Sequence, residues 1–310
     1  MSANCDTIDM YEFLFWGKYY LPMEIYEEKG NLILENVRDF DILQTFDCGQ
    51  CFRWEKLGDA YFGIAYGLPL KISQDGDVIT LYDTTRDDWD NVWSRYFDIE
   101  RDYGEIKNRL SADPVMKTAS DFGGGIRLLN QEPFECLISF IISASNNIPR
   151  IKKIIDSLCT NFGEKVTYLG KDFYTFPTPQ KLASLELSDL AVIKAGFRDK
   201  YILNAAKAVK SGMIDLECLK SASYEYAKAE LLKLFGVGRK VADCVLLFSL
   251  EKYASFPVDV WIKRIMEHCY FDGETDKETI SALAQKNFGE LGGFAQQYLF
   301  YWARENKIGI

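Results

Sequence analysis

Histidine is almost absent from this 310-residue sequence, in which His268 is the single example. One histidine offers no cluster of imidazole ligands, so a histidine-rich metal centre is excluded. The eight cysteines are scattered at positions 5, 48, 51, 136, 159, 218, 244 and 269, and several lie in apolar runs where a reduced, buried thiol is expected. Cys48 and Cys51 form a CxxC pair, but without a second pair or a nearby histidine no zinc site is predicted.

Long apolar runs and a basic N-terminus are also missing. No stretch approaches the roughly 18 apolar residues that a membrane span needs. The first residues, MSANCDTIDMYEFLF, are acidic and lack the basic region of a secretory signal. We therefore expect a cytoplasmic protein without a membrane partner. Residues 1–22 show no clear pattern and are interpreted as an N-terminal tail, with a start at Met23 as an alternative.

Positive charge is in deficit, because the formal net charge is −10 at pH 7, which is unusual for a protein that binds nucleic acid. The deficit is uneven. Residues 1–130 hold 13 Lys and Arg against 24 Asp and Glu, whereas residues 131–310 hold 23 against 22. Phosphate contacts depend on local clusters of charge rather than on the total. A modestly positive face is predicted from basic residues near turns and helix starts, namely Arg150, Lys152, Lys153, Arg198, Lys200, Arg239, Lys240, Lys263 and Arg264.

The chain divides into a strand-rich part and a helical part. Residues 31–83 contain short alternating or apolar runs separated by Gly, Pro and Asp, which predicts an antiparallel sheet. Two helical segments follow, and from residue 131 onward nearly every segment has apolar residues at helical spacing. We predict an α+β protein with a β-rich N-terminal domain at 23–130 and a mainly α-helical body at 131–310. The functional site is expected in the cleft between them.

The most informative motif is LFGVGRKVADC, which lies inside a predicted helical hairpin at 225–250. Gly236 and Gly238 separate two apolar helical segments. Glycines let the backbone turn tightly and bring bare N–H groups close to a ligand. The second helix also directs the positive end of its dipole at that ligand. A phosphate group is therefore the predicted occupant of the turn.

The residues that follow the turn add chemistry to this phosphate site. Arg239 and Lys240 begin the second helix, and the segment FPVDVW places the carboxylate of Asp259 at a later helix start. An amine and a carboxylate beside a phosphate favour a covalent mechanism with the amine as nucleophile. The structural alternatives are a solvated lysine and, for Asp259, a simple helix N-cap.

The motifs LFGVGRKVADC and FPVDVW resemble the helix-hairpin-helix and Gly-Pro-Asp core of the base-excision DNA glycosylase superfamily. They are most similar to its 8-oxoguanine DNA glycosylase/lyase branch, and scattered matches run from about Gly49 to Phe300. The resemblance implies an N-terminal domain of TBP-like fold followed by the helix-hairpin-helix glycosylase body. It also implies excision of 8-oxoguanine from duplex DNA, preferentially opposite cytosine, by base flipping, Schiff-base formation and β-elimination.

In that resemblance Lys240 is the nucleophile that attacks C1′ of the sugar, and Asp259 stabilises the cationic transition state. A lysine at this position separates the glycosylase/lyases from alkylbase and adenine glycosylases, which lack it. Two alternatives stay open: an alkylated-base glycosylase of the same superfamily, and a non-catalytic helix-hairpin-helix protein that only binds DNA.

Two loops are implied to contact the opposite strand. Residues 143–150 form the first loop, in which Ser145, Asn146 and Asn147 fill the space left by the flipped base and Arg150 reaches its partner. The second loop provides Phe197 as a wedge and Arg198 as a second donor to cytosine. Eukaryotic family members have three asparagines where this chain has Ser145, Asn146 and Asn147, so the preference for cytosine is expected to be looser.

The lesion itself is implied to contact four residues. Gly49, in CGQCFRW, matches the glycine whose carbonyl accepts a hydrogen bond from N7–H of 8-oxoguanine, a group that guanine lacks. Cys244 and Phe300 sandwich the purine, and Gln296 contacts its pairing edge. Trp261 departs from the family, because many members have a phosphate-binding histidine there and an indole cannot carry charge.

The resemblance also determines the expected cofactors and partners. No cofactor is required, and the four-cysteine iron–sulfur cluster of related glycosylases is not expected, because no cysteine follows Cys269. The hairpin is implied to bind a structural metal ion through the backbone carbonyls of Leu232, Leu234 and Val237. The expected partner is double-stranded DNA containing 8-oxoguanine, bound by a monomer in the cytoplasm of a prokaryote, at the nucleoid.

Overall fold

The computed structural model describes residues 21–308, so the predicted tail at 1–22 lies almost wholly outside the described residues. An antiparallel sheet of six strands forms the N-terminal part, in the spatial order β1-β2-β6-β5-β4-β3. Its strands are β1 Glu24–Glu28, β2 Asn31–Glu35, β3 Trp54–Leu57, β4 Ala60–Ala65, β5 Leu68–Asp75 and β6 Val78–Tyr82.

One face of the sheet is covered by a core of aromatic and branched side chains. Alternation along β5 and β6 buries Leu70, Ile72, Ile79 and Leu81, because successive side chains of a strand point to opposite faces. Trp54 lies against Gly63, its register partner on β4, at a distance that a side chain on Gly63 would not allow.

Helices make up most of the remainder. In residues 21–308 they are α1 Ile42–Asp47, α2 Arg86–Asp88, α3 Ser94–Tyr96, α4 Tyr103–Leu110, α5 Pro114–Phe122, α6 Pro133–Ser143, α7 Ile148–Phe162, α8 Pro179–Ala183, α9 Asp199–Lys210, α10 Leu216–Ser221, α11 Tyr224–Leu232, α12 Arg239–Phe248, α13 Val260–Tyr270, α14 Lys277–Phe288 and α15 Gly292–Asn306. The predicted α+β class, a sheet followed by a helical body, is thus confirmed. None of the helices described is both long and apolar enough to span a lipid bilayer.

The hydrophobic core of the helical body includes side chains that precede residue 130 in the sequence. Side chains of α4 and α5, including Tyr103, Ile106 and Met116, belong to the hydrophobic core of the helical body. The reason is that α5 packs against α15, the last helix of the chain. The C-terminal helix therefore ties the N-terminal third of the sequence to the helical body.

A two-stranded hairpin interrupts the helical body, where the sequence analysis predicted helices almost throughout. Its strands are β7 Lys165–Tyr168 and β8 Lys171–Tyr174, joined by Leu169 and Gly170. Tyr168 and Phe173 pack against Ile64 of the main sheet. This packing explains why a short segment without helical periodicity is ordered as a hairpin here.

Candidate active site and nucleic-acid interface

The helical hairpin forms as predicted, with a tight turn between α11 and α12. The N–H of Val237 donates to the carbonyl of Leu234 over 3.0 Å, which closes the turn. Gly238 is the N-cap of α12 and offers no side chain to occupy the free N–H groups of the first turn. The turn therefore presents unpaired backbone donors and a positive helix end to the surface, as a phosphate site requires.

Gly236 is required by two independent features of this turn. Its φ of +91° lies in the left-handed region, and a Cβ on this residue would come within 2.2 Å of Cγ of Tyr201 on α9. The Tyr201 ring also contacts Phe235 edge-on, with 4.9 Å between ring centroids. The tip of the hairpin is thus packed directly onto α9.

We expect Gly236→Ala to destabilise the protein by about 2–5 kcal/mol, because overpacking costs about 1–3 kcal/mol and the left-handed backbone about 1–2 kcal/mol. Gly238→Ala is the matched control. A Cβ at Gly238 meets nothing within 4 Å, so its cost should be close to the roughly 1 kcal/mol lost when a helix N-cap becomes alanine. Urea titration of both variants measures the two free energies of unfolding, and equal losses would contradict the steric role of Gly236.

Lys240 lies one residue into α12, with its side chain directed at α6. Its Nζ donates to Oγ of Ser143 over 3.1 Å and lies 4.9 Å from the centroid of the Phe140 ring. Within residues 21–308, no ion pair includes Lys240. The amine is therefore held by a neutral hydroxyl and an aromatic face rather than by a carboxylate.

Asp259 caps α13 and lies near the same amine. Its Oδ1 accepts a hydrogen bond from the N–H of Ile262 over 2.8 Å, so Asp259 is the N-cap of α13. Burial raises the pKa of Asp259, while this hydrogen bond and the positive charge of Lys240 oppose the shift. The carboxylate and the amine therefore interact across the end of the hairpin.

Cys244 lies one helical turn after Lys240 on α12 and is buried. Burial raises the pKa of the Cys244 thiol to about 12, with Lys240 opposing the shift and Asp259 adding to it. The thiol is therefore neutral at physiological pH. Lys240, Cys244 and Asp259 are thus close enough to interact electrostatically.

Gly49 and Phe300 are brought together by α15. Gly49 has a φ of +82°, and a Cβ on this residue would come within 3.0 Å of Cε1 of Phe300. The loop around Gly49 is held from α15 as well, because Nε2 of Gln297 donates to the carbonyl of Cys48 over 2.7 Å. A side chain at position 49 would be crowded by the ring and would need the left-handed backbone conformation, so the structure favours glycine there.

Gln296 lies on the same helix, one turn before Phe300, and is 5% exposed. Its Oε1 is buried and has no hydrogen-bond partner among residues 21–308. A buried acceptor without a donor is costly unless a ligand provides one. This amide is thus a ready contact for a polar ligand edge.

The Gly49 loop and Lys240 are linked through aromatic side chains. Phe52, three residues after Gly49, packs edge-on against Phe140 at 5.7 Å, and Phe140 lies beneath the amine of Lys240. Residues of the N-terminal part and of the helical body therefore meet beside Lys240.

The 143–150 loop is held in place by Arg198, one of the two arginines expected to contact the opposite base. Arg198 is 3% exposed. Its Nε donates to the carbonyl of Ala144 over 3.0 Å, and a terminal nitrogen donates to that of Ser145 over 3.0 Å. Ser145 has a φ of +49°, so these bonds stabilise a sparsely populated backbone conformation.

Arg150 and the two asparagines remain at the surface end of this loop. Asn147 caps α7 by accepting from the N–H of Arg150 over 3.0 Å, and Nδ2 of Asn146 donates to the carbonyl of Ile142 over 3.1 Å. The side chain of Arg150 is exposed. Burial of Arg198 lowers the pKa of its guanidinium, and the nearby positive charge of Arg150 lowers this pKa further.

Three further predicted residues lie around the site. Phe197 is 56% exposed and lies in the short helical turn just before α9, a position accessible to a wedge. Arg239 is exposed and pairs with Glu278 at the start of α14. Trp261 is half-buried, with the guanidinium of Arg264 5.7 Å from its ring centroid, so a positive charge accompanies the indole after all.

The carbonyls predicted to hold a metal ion lie at the end of α11 and in the turn. Leu234 accepts the bond that closes the turn and keeps a second lone pair, and backbone oxygens suit hard cations. Among the residues that the structure describes, no cluster of three or more His, Cys, Asp or Glu side chains could hold a metal. Any ion at the hairpin would therefore depend on backbone oxygens.

Two residues of the site were missed by the sequence analysis. Phe140 supports the amine of Lys240, and Tyr201 supports the hairpin turn. In sequence both are ordinary apolar positions of amphipathic helices. Their contacts join residues about a hundred and about thirty positions away, so no local pattern could reveal them.

Comparison with known proteins identifies the family of this chain. The model of the 8-oxoguanine DNA glycosylase N-terminal domain matches residues 32–137, and that of the HhH-GPD superfamily of base excision DNA repair proteins matches residues 138–290. A probable N-glycosylase/DNA lyase of Methanothermobacter thermautotrophicus is 31% identical over 88% of this chain and 96% of its own length. The N-glycosylase/DNA lyase OGG1 of Arabidopsis thaliana is 31% identical over 83% of this chain and 75% of its own length.

A solved structure is similar over nearly the whole chain. The Clostridium acetobutylicum 8-oxoguanine glycosylase/lyase, in complex with double-stranded DNA containing cytosine opposite 8-oxoG, is 44% identical with a TM-score of 0.90. The match covers 93% of this chain and 99% of that one. This chain therefore belongs to the HhH-GPD superfamily of base excision DNA repair proteins and, within it, to the 8-oxoguanine DNA glycosylase family.

Proposed function

We propose that this protein is a bifunctional DNA glycosylase and AP lyase that excises 8-oxoguanine from duplex DNA, preferentially opposite cytosine. The observation that carries the proposal is the position of Lys240, whose amine lies at the mouth of the hairpin beside Asp259 and over Phe140. An amine nucleophile next to a phosphate-binding turn suits attack on a sugar carbon. The family relationship provides independent support.

In the proposed first step the neutral amine of Lys240 attacks C1′ of the damaged nucleotide. The bond between C1′ and the base breaks, and the base leaves with the bonding electrons and takes up a proton. Loss of a proton from the attached amine and opening of the sugar ring then give an imine between Nζ and C1′. The imine acidifies C2′–H, and loss of that proton expels the 3′ phosphate by β-elimination.

Asp259 is proposed to stabilise the positive charge that develops on the sugar as the base departs. Its carboxylate is fixed by the N–H of Ile262 at the start of α13, so it need not reorganise during the reaction. Burial also raises the pKa of Asp259, which makes its carboxylate a better proton acceptor than that of an exposed aspartate.

The extruded base is proposed to bind between Cys244 and Phe300. The carbonyl of Gly49 would accept from N7–H of 8-oxoguanine, and the unpartnered Oε1 of Gln296 would accept from its pairing edge. Guanine has no hydrogen on N7 and would leave the Gly49 carbonyl unpaired. Sites built on hydrogen bonds reject analogues that lack the donor.

The DNA backbone is proposed to follow the hairpin and the start of α13. The N–H groups around Gly236 and Gly238 would hold one phosphate, with Arg239 and the Trp261–Arg264 pair beside it. The carbonyls of Leu232, Leu234 and Val237 are proposed to bind a hard cation whose charge adds to this attraction. Because the proposed substrate is genomic DNA, we propose that the enzyme acts at the chromosome in the cytoplasm of a prokaryote. We also propose that it acts as a monomer.

Arg150 is proposed to contact the orphaned cytosine, with Asn146, Asn147 and Ser145 filling the gap. We expect Arg150→Ala to reduce activity on lesion:C pairs more than on lesion:A pairs, because a good base contact contributes roughly 1–3 kcal/mol of discrimination. Lys153→Ala, an exposed cation on the same helix, is the matched control and should lower all pairs alike. Single-turnover rates on the four opposite bases measure this preference, and equal proportional losses in Arg150→Ala would refute the contact.

Arg198 is proposed to support the backbone of the same loop. Since its donors hold the carbonyls of Ala144 and Ser145, we expect Arg198→Ala to lower the rate for every opposite base by a similar factor. The same four duplexes measure this effect. A selective loss on lesion:C pairs would instead mean that Arg198 leaves the loop and contacts cytosine.

Borohydride trapping tests the proposed function directly. The wild-type protein is incubated with duplexes that carry 8-oxoguanine, an alkylated purine or no lesion, and the imine is reduced to a stable cross-link. The proposal expects a cross-link and strand cleavage on the 8-oxoguanine duplex alone. Base release from the alkylated duplex without a cross-link would favour the alkylbase alternative, and binding without release would favour a non-catalytic DNA-binding protein.

A further inference from the structure

Tyr201 on α9 lies between two elements that are proposed to touch DNA, the hairpin turn and the wedge residue Phe197. On one side its ring packs against the hairpin, edge-on to Phe235 at 4.9 Å and against the Cα of Gly236, where a Cβ would come within 2.2 Å. On the other side it packs edge-on against the wedge residue Phe197 at 5.9 Å. Tyr201 is the common neighbour of the hairpin tip and the wedge.

The contact chain continues to the gap-filling loop. The guanidinium of Arg198 lies 4.3 Å from the centroid of the Phe197 ring, and the same guanidinium holds the carbonyls of Ala144 and Ser145. An unbroken series of contacts therefore runs from the hairpin turn through Tyr201 and Phe197 to the 143–150 loop. These three elements come from separate parts of the sequence.

The two outer rings are unusually exposed for phenylalanine. Phe197 and Phe235 are each 56% exposed, whereas Tyr201 between them is half-buried. The amine of Lys200 lies 5.3 Å from the Tyr201 ring and 5.5 Å from the Phe235 ring. Exposed aromatic rings with an adjacent cation suit contact with the sugars, bases and phosphates of a DNA strand.

We propose that Tyr201 is a positioning residue that couples the phosphate grip of the hairpin to base extrusion by the wedge. When the hairpin closes on a backbone phosphate, Phe235 and Gly236 fix the Tyr201 ring, which in turn fixes Phe197 at the angle needed to enter the duplex. The inference rests on the proposed function. It adds a residue that touches neither the lesion nor the reacting atoms.

Coupling of this kind has a measurable signature. If Phe197 and Phe235 act through Tyr201 as one unit, removing either ring disrupts the unit. The fold loss in extrusion rate of the double variant is then smaller than the product of the fold losses of the two single variants. Residues in contact or in one network show such non-additivity, whereas independent residues do not. In a protein without the Tyr201 ring, the two losses should become multiplicative.

The experiment measures base extrusion by stopped-flow fluorescence of 2-aminopurine placed beside 8-oxoguanine. Rates are compared for wild type, Phe197→Ala, Phe235→Ala, the double variant, and the same set carrying Tyr201→Ala. We expect Tyr201→Ala to slow extrusion roughly tenfold, about as much as the Phe197→Ala/Phe235→Ala double variant. Tyr201→Phe should restore the wild-type rate because the ring, not the hydroxyl, makes the contacts.

Lyase activity on a duplex with a preformed abasic site is the internal control, since no damaged base must be extruded. This rate should fall less than the extrusion rate in Tyr201→Ala, because both activities need the hairpin that Tyr201 supports, whereas only base extrusion needs the coupling to Phe197. Multiplicative losses of Phe197→Ala and Phe235→Ala in the presence of Tyr201, or a parallel loss of abasic-site cleavage, would overturn the coupling. A wild-type protein that releases no base would instead overturn the proposed function, so the two failures are distinguishable.

Discussion

Replacing Lys240 with glutamine is expected to abolish the borohydride-trapped cross-link and to lower base release by at least about 10⁴-fold. Glutamine is similar in length and can still donate to Oγ of Ser143, the partner of Lys240, but it cannot form an imine. DNA affinity should stay within about tenfold of wild type, because the backbone N–H groups and the other cations still hold the phosphates. Trapping assays, single-turnover kinetics and binding isotherms measure these quantities on one 8-oxoguanine:C duplex.

Arg239→Gln is the matched control for this prediction. Arg239 is the neighbouring cation on α12, but it is exposed and pairs with Glu278, so it cannot replace the nucleophile. Its loss should weaken binding and make it less sensitive to salt, while the cross-link persists. A cross-link in Lys240→Gln of wild-type yield would show that another amine attacks C1′.

Replacing Asp259 with asparagine is expected to slow base release by about 10²- to 10³-fold, the usual loss when a preorganised electrostatic group is removed. Affinity for lesion DNA should change by less than about threefold, because the carboxylate acts on charge that develops only in the transition state. Asparagine is as good an N-cap as aspartate, so α13 should keep the bond to Ile262. A fall in affinity as large as the fall in rate would mean that Asp259 is structural.

The stability of this variant gives a separate measurement. Burial raises the pKa of Asp259, so the folded protein binds this proton more tightly than the unfolded chain does. The contribution of Asp259 to folding stability therefore decreases as pH rises from its pKa in the unfolded chain to its raised pKa in the folded protein. The same contribution is recovered as pH falls through this range. Asp259→Asn, which cannot ionise, should then be at least as stable as wild type at neutral pH, whereas Asp259→Ala should lose about 1 kcal/mol with the cap.

The same raised pKa predicts the acidic limb of the pH–rate profile. Protonation of Asp259 removes the charge that stabilises the transition state, so activity should fall on acidification at a higher pH than for an ordinary aspartate. Single-turnover rates across the acidic range measure this limb, which should be absent in Asp259→Asn. An identical limb in the variant would assign it to another group.

Local sequence was sufficient for the hairpin, the sheet and the nature of the chemistry. Two glycines between apolar helical segments specify a tight turn at a helix N-terminus, and the dipole and bare N–H groups of that turn specify an anion. Alternation at 68–82 specifies a sheet with one buried face. These features depend on residues that are close together in sequence, so local sequence patterns are enough to predict them.

Tertiary structure decided the partners of those residues. The support of Lys240 by Phe140 and Ser143, the use of Arg198 to hold the 143–150 loop, and the place of Tyr201 between hairpin and wedge depend on contacts across roughly 30 to 100 residues. The same holds for α4 and α5, which join the helical core because α15 returns to pack on them. An arginine or phenylalanine has the same local sequence signal whether its side chain faces solvent or a neighbouring helix, and only the folded chain determines which surface it meets.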